Sequence, residues 1–462
     1  METLSYRIVL RSVKVLNVIL MAVLMIFCWQ GNYAGGVQSS DMARNMTGLV
    51  ALIFIFLYMT YGRIYDSFLV SLFRISEMIY SQWLALLMAD TLMYIILSLV
   101  TQQLVRFLPI VITLIMQMGV SVLWCVAAHT WYFKKFSPRK TLVVYDRKQN
   151  VENLIHAYEL RKKFDVQQTI EVDSCIGEQF QSLREIETVF LCGVHSHERN
   201  IVLKYCVEHN IVVYVLPRIG DVIMSSAKRM HLFHLPFLRV GRYDPSPEYL
   251  FIKRCFDIVL SVLALLVLSP IMLVTAIAIK LSDGGSVFYK QKRLTKDRKE
   301  FYVYKFRSMR QDAEKDGVAR LSTGEKDPRI TPVGRFIRKV RIDELPQLIN
   351  ILQGNMSIVG PRPERPEIAE QYEKELPEFS LRLQAKAGLT GYAQVYGKYN
   401  TTPYDKLQMD LMYIGHPSFL EDMRIIFATI KILFIPESTE GVAEGWETAM
   451  ARQERKSDEV EI

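Results

Sequence analysis

The sequence predicts a membrane α-helical bundle followed by cytoplasmic α/β structure, on three observations. The 462 residues are 50% hydrophobic and yet 23% charged. The two classes are segregated along the chain, with long uncharged stretches toward the N-terminus and charge-rich sequence after them. Beyond the stretches, short β-branched runs alternate with helical patterns, as in α/β domains. This segregation excludes both a purely soluble chain and a pure membrane bundle. An aromatic content of 11% excludes intrinsic disorder. The length allows roughly three domain-sized units. The formal net charge of +8 suits an anionic membrane surface, a phosphorylated substrate or nucleic acid. Six cysteines without a CxxC spacing read as free thiols in a reducing compartment.

Residues 1–136 are expected to hold four transmembrane helices. No charge falls between Lys14 and Asp41, between Arg44 and Arg63, or between Arg106 and Lys134. Each gap supplies the roughly 20 apolar residues that a spanning helix needs. A further span fits 82–104 and contains Asp90, whose structural reading is a helix–helix contact. The first stretch lacks a small-residue cleavage site and is kept as a span. Lys and Arg set the orientation. Arg7, Arg11 and Lys14 precede the first helix, Arg63 and Arg74 lie in the second loop, and Lys134, Lys135, Arg139 and Lys140 follow the fourth. The other two loops carry only Arg44 and Arg106. Both ends of the bundle are therefore expected on the cytoplasmic side.

Residues 137–245 are expected to form a Rossmann-like domain. Thr141–Asp146 reads as a strand leading into a helical pattern through Lys163, and Val189–Val194 and Ile211–Leu216 are further apolar runs. The first turn, Tyr145 to Asn150, contains no glycine, so the dinucleotide fingerprint is absent. His195 and His197 read as helix-start polar residues, with no acid or Cys beside them in a ligand pattern.

Residues 251–462 carry the chemistry. Lys253 and Arg254 open the region, and residues 258–279 are uncharged. Basic residues flank this stretch on both sides, against the rule for a true span. Ser269-Pro270 lies at its middle; proline removes a backbone donor, and serine can satisfy the freed group. The economical reading is a broken, re-entrant helix at about 255–281. An ordinary fifth span is the alternative, and it would place the C-terminal region outside. Lys305 and Arg307 are two apart on a strand-like stretch, so they share a face. Arg338 to Glu344 packs five charged groups into seven residues. Asp343 stands where a helix N-cap would stand, and Glu344 offers an oxygen ligand suited to Mg²⁺ beside a substrate phosphate. Arg362, fixed between two prolines after Gly360, reads as a phosphate or carboxylate clamp.

Six motifs occur in order: Lys253-Arg254, Ser269-Pro270, Lys305-Phe306-Arg307-Ser308-Met309, Asp343-Glu344-Leu345-Pro346-Gln347, Gly360-Pro361-Arg362-Pro363 and Gly388-Leu389-Thr390-Gly391. Together, over about 251–435, they resemble the bacterial sugar transferase family, the polyprenyl-phosphate hexose-1-phosphate transferases or monotopic phosphoglycosyl transferases. With the four-helix bundle and Rossmann-like domain, the chain is similar to the long members, of the undecaprenyl-phosphate glucose or galactose phosphotransferase type.

The resemblance implies a mechanism. Asp343 would attack the sugar-proximal phosphate of a UDP-sugar, expel UMP, and pass the phosphosugar to undecaprenyl phosphate. Glu344 would hold Mg²⁺, and Lys305, Arg307, Arg338 and Arg362 would handle phosphate. Lys253, Arg254, Ser269 and Pro270 would anchor and break the re-entrant helix. It also implies a multi-pass protein of the bacterial inner membrane, both soluble domains cytoplasmic, acting as a homodimer at the first membrane step of capsular or exopolysaccharide synthesis. Glucose is favoured by family frequency alone. The positive charge then belongs to lipid-facing flanks and a diphosphate site, with no nucleic acid partner. Two departures stand out: Gly415-His416-Pro417-Ser418 replaces an Asn-aromatic-Ser type stretch, and Ala387 stands where many members have proline. Two other classes fit less well. A membrane-anchored dehydratase lacks its glycine fingerprint, and a non-catalytic scaffold does not require the Asp343-Glu344 pair.

Overall fold

The computed structural model describes residues 2–36, 40–146, 160–310, 327, 329–397 and 402–433. The chain divides into two compact units, Met1–Pro217 and Arg218–Ile462. Among the described residues, five helices are long and apolar enough to cross a membrane, four in the first unit and one in the second.

The first unit begins with helices α1 (Glu2–Cys28), α2 (Ser40–Ile64), α3 (Ile75–Val100) and α4 (Phe107–Lys135). Each touches the next, and α4 returns to α1. Large apolar side chains such as Phe56, Leu99 and Leu123 face outward. Polar ones lie inside: the Tyr58 hydroxyl donates to Asn17 at 2.8 Å, Gln82 to the Ser67 carbonyl at 3.3 Å, and Gln117 to the Met21 carbonyl at 3.2 Å. Apolar outside and hydrogen-bonded inside is the arrangement a hydrocarbon solvent selects. Asp90 is buried in α3 and lies within electrostatic reach of Cys28 of α1, and among the described residues neither of its carboxylate oxygens is hydrogen-bonded.

The α/β part of this unit is a parallel four-stranded sheet built from β1 (Arg139–Tyr145), β2 (Phe164–Glu171), β3 (Thr188–Cys192) and β4 (Val212–Leu216), in the order β2-β1-β3-β4. Leu142, Val144, Val189 and Leu191 form its core. Helices α5 (Val172–Gly177) and α6 (Ser196–Glu208) connect the strands. His195 stands at the N-cap position of α6, 3.3 Å from Asp146. Residues 147–150 of the glycine-free turn, and most of the helical pattern after it, lie outside the described residues.

The second unit takes in residues that the sequence assigns to the middle domain. Helix α7 (Ile219–Ser225) buries Ile219 and Val222 in the same core as Leu348, Ile351, Val359 and Leu407. An exposed hairpin follows, β5 (Lys228–Leu232) and β6 (Leu235–Arg239), and then the long α8 (Pro247–Asp283). Helix α8 starts at Ser246, whose hydroxyl accepts from the Tyr249 amide, and stops at Gly284, whose φ of +71° suits glycine.

The secondary structure of α8 runs unbroken through Pro270. Proline there has no N–H for the Leu266 carbonyl, and the Ser269 hydroxyl donates to that same carbonyl at 2.8 Å. Both ends of α8 bind the second unit. Lys253 donates to Asp422 at 2.8 Å, with side chains only 12% and 4% exposed, and the Tyr249 and Tyr413 hydroxyls donate to the same carboxylate. Arg254 donates to the carbonyls of Ile351 and Leu352, and Asp257 accepts from the Ile358 amide at 3.0 Å. At the other end, Met272, Ala276 and Ile279 pack with Phe306 and Ile337. Lys253 and Arg254 are thus interior ties of the unit, where the sequence places them as membrane anchors.

Removing the Asp422 carboxylate leaves the Lys253 ammonium buried and unpaired. Asp422→Ala is expected to destabilise the protein by about 3–5 kcal/mol, read as a loss of thermal stability in detergent. The double change Lys253→Met with Asp422→Leu should cost less than Asp422→Ala alone; an equal or larger loss would contradict this account.

Candidate active site

The remaining elements of the second unit bring distant cations to one carboxylate. Strands β7 (Phe288–Leu294) and β8 (Glu300–Phe306) pair antiparallel. Alternation along β8 buries Phe301 and Val303 and leaves Lys305 half-buried at the end. Helix α9 (Pro332–Lys339) starts at Thr331, whose hydroxyl accepts from the Gly334 amide at 2.9 Å. Gly334 lies so close to the chain after β8 that a Cβ there would sit 1.9 Å from the Ser308 carbonyl oxygen. Arg341 follows with φ of +56°, and this left-handed residue turns the chain into the short helical turn Ile342–Glu344. Helix α10 (Gln347–Leu352) comes after it. Asp343 is therefore not an N-cap; it lies in the turn before α10.

Asn350 of α10 holds the turn against β8. Its side-chain amide donates to the Tyr302 carbonyl at 2.7 Å and accepts from the Tyr304 amide at 2.9 Å. That clamp sets Lys305 beside the turn. Arg254 caps the other end of α10 through its last carbonyls.

Arg362 arrives from a third direction. Strand β9 (Ser357–Val359) pairs in parallel with β10 (Gly388–Thr390). Gly360 donates to the Thr390 carbonyl at 2.9 Å, and a Cβ on Gly360 would lie 2.3 Å from the Lys386 carbonyl oxygen. Gly360 and Gly388 thus stand where the backbones of two loops cross. Beyond it, Arg382 donates to the Arg362 carbonyl at 2.9 Å and to buried Asp410 at 2.8 Å, while Arg293 donates to the Pro363 carbonyl at 3.1 Å. This network fixes the Pro361-Arg362-Pro363 segment from behind. Of the two sequence departures, Ala387 donates its amide to Thr295, and Gly415 ends helix α13 (Pro403–Gly415) tightly against Ser226; α11 (Pro366–Glu375) and α12 (Tyr392–Tyr396) precede it.

Glu344 is the centre. Its Oε1 accepts from Lys305 at 2.9 Å and from Arg362 at 3.2 Å, and its Oε2 lies 3.8 Å from Arg341. Burial opposes its charge, but Lys305, Arg362 and Arg341 override that and hold its carboxyl far below the usual carboxylate range. Asp343 is treated differently. Among the described residues nothing donates a hydrogen bond to it, and it is held only by the fields of Lys305, Arg338 and Arg341. Burial, and then the adjacent Glu344 charge, push its carboxyl above the usual range despite those cations. One acid is locked and ionised, and its neighbour is unlocked and more basic.

The structure thus brings Asp343, Glu344, Lys305, Arg338 and Arg362 together and leaves Arg307 out. Arg307 is buried and paired with Asp283 at the end of α8. The shared-face expectation fails because β8 ends at Phe306, so Arg307 leaves the strand geometry. Arg341, Asn350, Arg382 and Asp410 complete the site. Arg341 carries a sequence signal, being two residues from the acids, whereas the other three carry none. For a divalent cation the donor set is the kind Mg²⁺ uses, one or two carboxylates completed by substrate phosphate oxygens. No group of three or more His, Cys, Asp or Glu among the described residues forms a cage.

A family model described as bacterial sugar transferase matches residues 248–436. The chain is 40% identical over 234 residues to a UDP-N-acetylgalactosamine-undecaprenyl-phosphate N-acetylgalactosaminephosphotransferase of Aeromonas hydrophila, covering 50% of this chain and 54% of that one. It is 44% identical over 184 residues to a UDP-glucose:undecaprenyl-phosphate glucose-1-phosphate transferase of Escherichia coli K12, 39% of each chain. It is 44% identical over 190 residues to an exopolysaccharide production protein PSS of Rhizobium leguminosarum, 39% of this chain and 94% of that one. The matched region is about half or less of the first two relatives' length.

The two acids make opposite stability predictions. Asp343, with its folded-state pKa raised, costs stability at neutral pH and less as pH falls toward its unfolded value of about 3.9. Glu344, with its pKa depressed, contributes stability above about 4.3 that is lost only as pH falls through its folded value. At pH 7.5, Asp343→Asn should raise the melting temperature and Glu344→Gln should lower it, each by about 2–4 °C per kcal/mol. Shifts of the same sign in differential scanning fluorimetry would refute the assignment.

Proposed function

The chain belongs to the bacterial sugar transferase family, and from that membership we propose that it transfers hexose-1-phosphate from a UDP-sugar to undecaprenyl phosphate and releases UMP. The observation that carries the reading is the unequal pair. Glu344 is tied by three cations, and Asp343 beside it accepts no hydrogen bond from any described residue. A carboxylate whose oxygens are not taken up by hydrogen bonds to the protein keeps lone pairs open for nucleophilic attack.

In the proposed cycle, an Asp343 carboxylate oxygen attacks the sugar-proximal phosphorus. The bond from that phosphorus to the bridging oxygen breaks, and UMP leaves with the oxygen. An oxygen of undecaprenyl phosphate then attacks the same phosphorus and displaces Asp343, giving undecaprenyl diphosphate-sugar and the free carboxylate. Lys305, Arg338, Arg341 and Arg362 neutralise the charge that builds on the phosphates. Raised basicity at Asp343 suits a nucleophile, and it stays ionised at neutral pH because those cations surround it. Glu344, with Asp343 beside it, would hold Mg²⁺, which supplies Lewis-acid neutralisation of the diphosphate. UDP-glucose is the first donor to test, since glucose stands in several relatives' names beside N-acetylgalactosamine and galactosyl.

The proposed setting is a bacterial inner membrane, with α1–α4 as four spans, both soluble parts cytoplasmic and the parallel sheet Rossmann-like. Helix α8 is proposed as the re-entrant element. Both its ends bind one compact unit, whereas Leu266, Val267, Leu273 and Val274 at its middle are exposed and apolar. The product would start a capsular or exopolysaccharide repeat, and the working form is proposed to be a homodimer.

Purified protein with undecaprenyl phosphate and a panel of UDP-sugars is expected to release UMP with at least one donor. Asp343→Asn should release none and should retain no ³²P from a donor labelled on its sugar-proximal phosphate; appreciable turnover in that variant would sink the covalent route. Lys305→Ala and Arg362→Ala should each lose about 10²-fold or more in kcat. For topology, a cysteine placed at Lys292 should react with impermeant reagent only from the cytoplasmic side; reaction from outside would restore a fifth span.

A further inference from the structure

Within the first unit, a cavity of about 400 Å³ lies where the apolar helices meet the parallel sheet. The loop between α2 and α3 supplies Ser71 and Arg74, the end of α4 supplies His129 and Phe133, and the turn before β2 supplies Lys162 and Lys163. No carboxylate among the described residues lines it. Lys163 is the informative group. It is half-buried, and its described partners are the neutral Ser71 hydroxyl at 3.2 Å and the face of Phe164 at 5.3 Å. Burial, and then the like charge of Arg139, push its ammonium down to about 8. Buried charges are normally paired with an opposite charge, and here no described residue provides one.

We propose that this cavity binds the phosphate group of a membrane lipid, whose negative charge completes the Lys163 environment. Two lysines, an arginine fork and hydroxyls make the donor set that phosphate recognition uses. The remaining walls are apolar, Leu72, Phe73 and Ile75, which suits the carbon skeleton next to the phosphate. The level is right as well. Helix α4 runs for 29 residues, and roughly 20 cover the hydrocarbon, so its last two turns, bearing His129 and Phe133, stand in the headgroup layer. This rests on the proposed membrane embedding of α1–α4, but not on the transfer chemistry.

The shared chemistry is a lipid phosphate, and its source is either a phospholipid diester or a lipid phosphate monoester. The test uses the full chain in dodecyl maltoside micelles, which contain no phosphate, titrated with dioctanoyl phosphatidylglycerol, dioctanoyl phosphatidic acid or inorganic phosphate and read by thermal shift and native mass spectrometry. At least one lipid should bind saturably. The double variant Lys162→Gln with Lys163→Gln should weaken that binding at least tenfold, and Lys163→Arg should restore it in a Lys162-intact background. Asp343→Asn should bind like the parent, which separates this cavity from the catalytic one. The diester or the monoester binding more tightly identifies the source. Binding unchanged in the double variant, no saturable binding, or inorganic phosphate binding as tightly as either lipid would overturn the proposal. Resistance of the chain to alkaline extraction from membranes, measured in parallel, tells failure of the site from failure of the embedding.

Discussion

The second unit is organised around one carboxylate that three cations share. Lys305 comes from the end of a strand, Arg341 from a left-handed turn, and Arg362 from a proline-locked segment, and all converge on Glu344. Such a knot is costly to assemble, because each group loses water and each cation repels the others. The surrounding structure supplies what keeps it together. Asn350 pins the strand to the turn, Arg382 and Asp410 hold the arginine segment, and Gly334 and Gly360 let backbones approach where a side chain would collide. Asp343 then needs no bonds of its own, because its position is inherited from Glu344 next to it.

That inheritance divides the labour between two adjacent acids. A single carboxylate cannot both organise the surrounding positive charge and keep all its lone pairs open. Glu344 takes the first role, with Oε1 engaged by Lys305 and Arg362, and Asp343 is left to the second. Placing the roles on neighbouring residues lets the organiser lower its own pKa with the cations while its charge raises that of its neighbour. Lys305, Arg341 and Arg362 are then already held around one point by Glu344, so little reorganisation is needed to meet an anion there.

Much of this was legible in the sequence where the signal is local. The apolar stretches and the acids with basic residues around them announce themselves within a few residues, whereas Ser269-Pro270 reads as a break in a helix that runs unbroken through it. Long-range geometry was not legible. Arg307 reads as a partner of Lys305 until the strand is seen to end between them. Lys253 and Arg254 read as lipid anchors by their position before an apolar run, and only the fold shows them tied to Asp422 and to the end of α10. Strand β2 is hidden because Asp165, Gln167 and Gln168 interrupt its apolar content, and α7 belongs to the second unit through contacts no spacing reveals. Asn350, Arg382 and Asp410 act across sequence distances that no motif spans.

The ties along α8 also decide what kind of element it is. Lys253, Arg254 and Asp257 fill hydrogen-bonding places inside the same unit that holds Asp343, while the following residues present an apolar surface. The helix is therefore a structural member of the catalytic unit and cannot be trimmed off as a tether. Cutting it away would leave Asp422 without its cation and the last carbonyls of α10 without their cap. The exposed apolar middle of α8 and the buried polar ties near its start therefore belong to one element, so a change that displaces the helix also loosens the unit that holds Asp343 and Glu344.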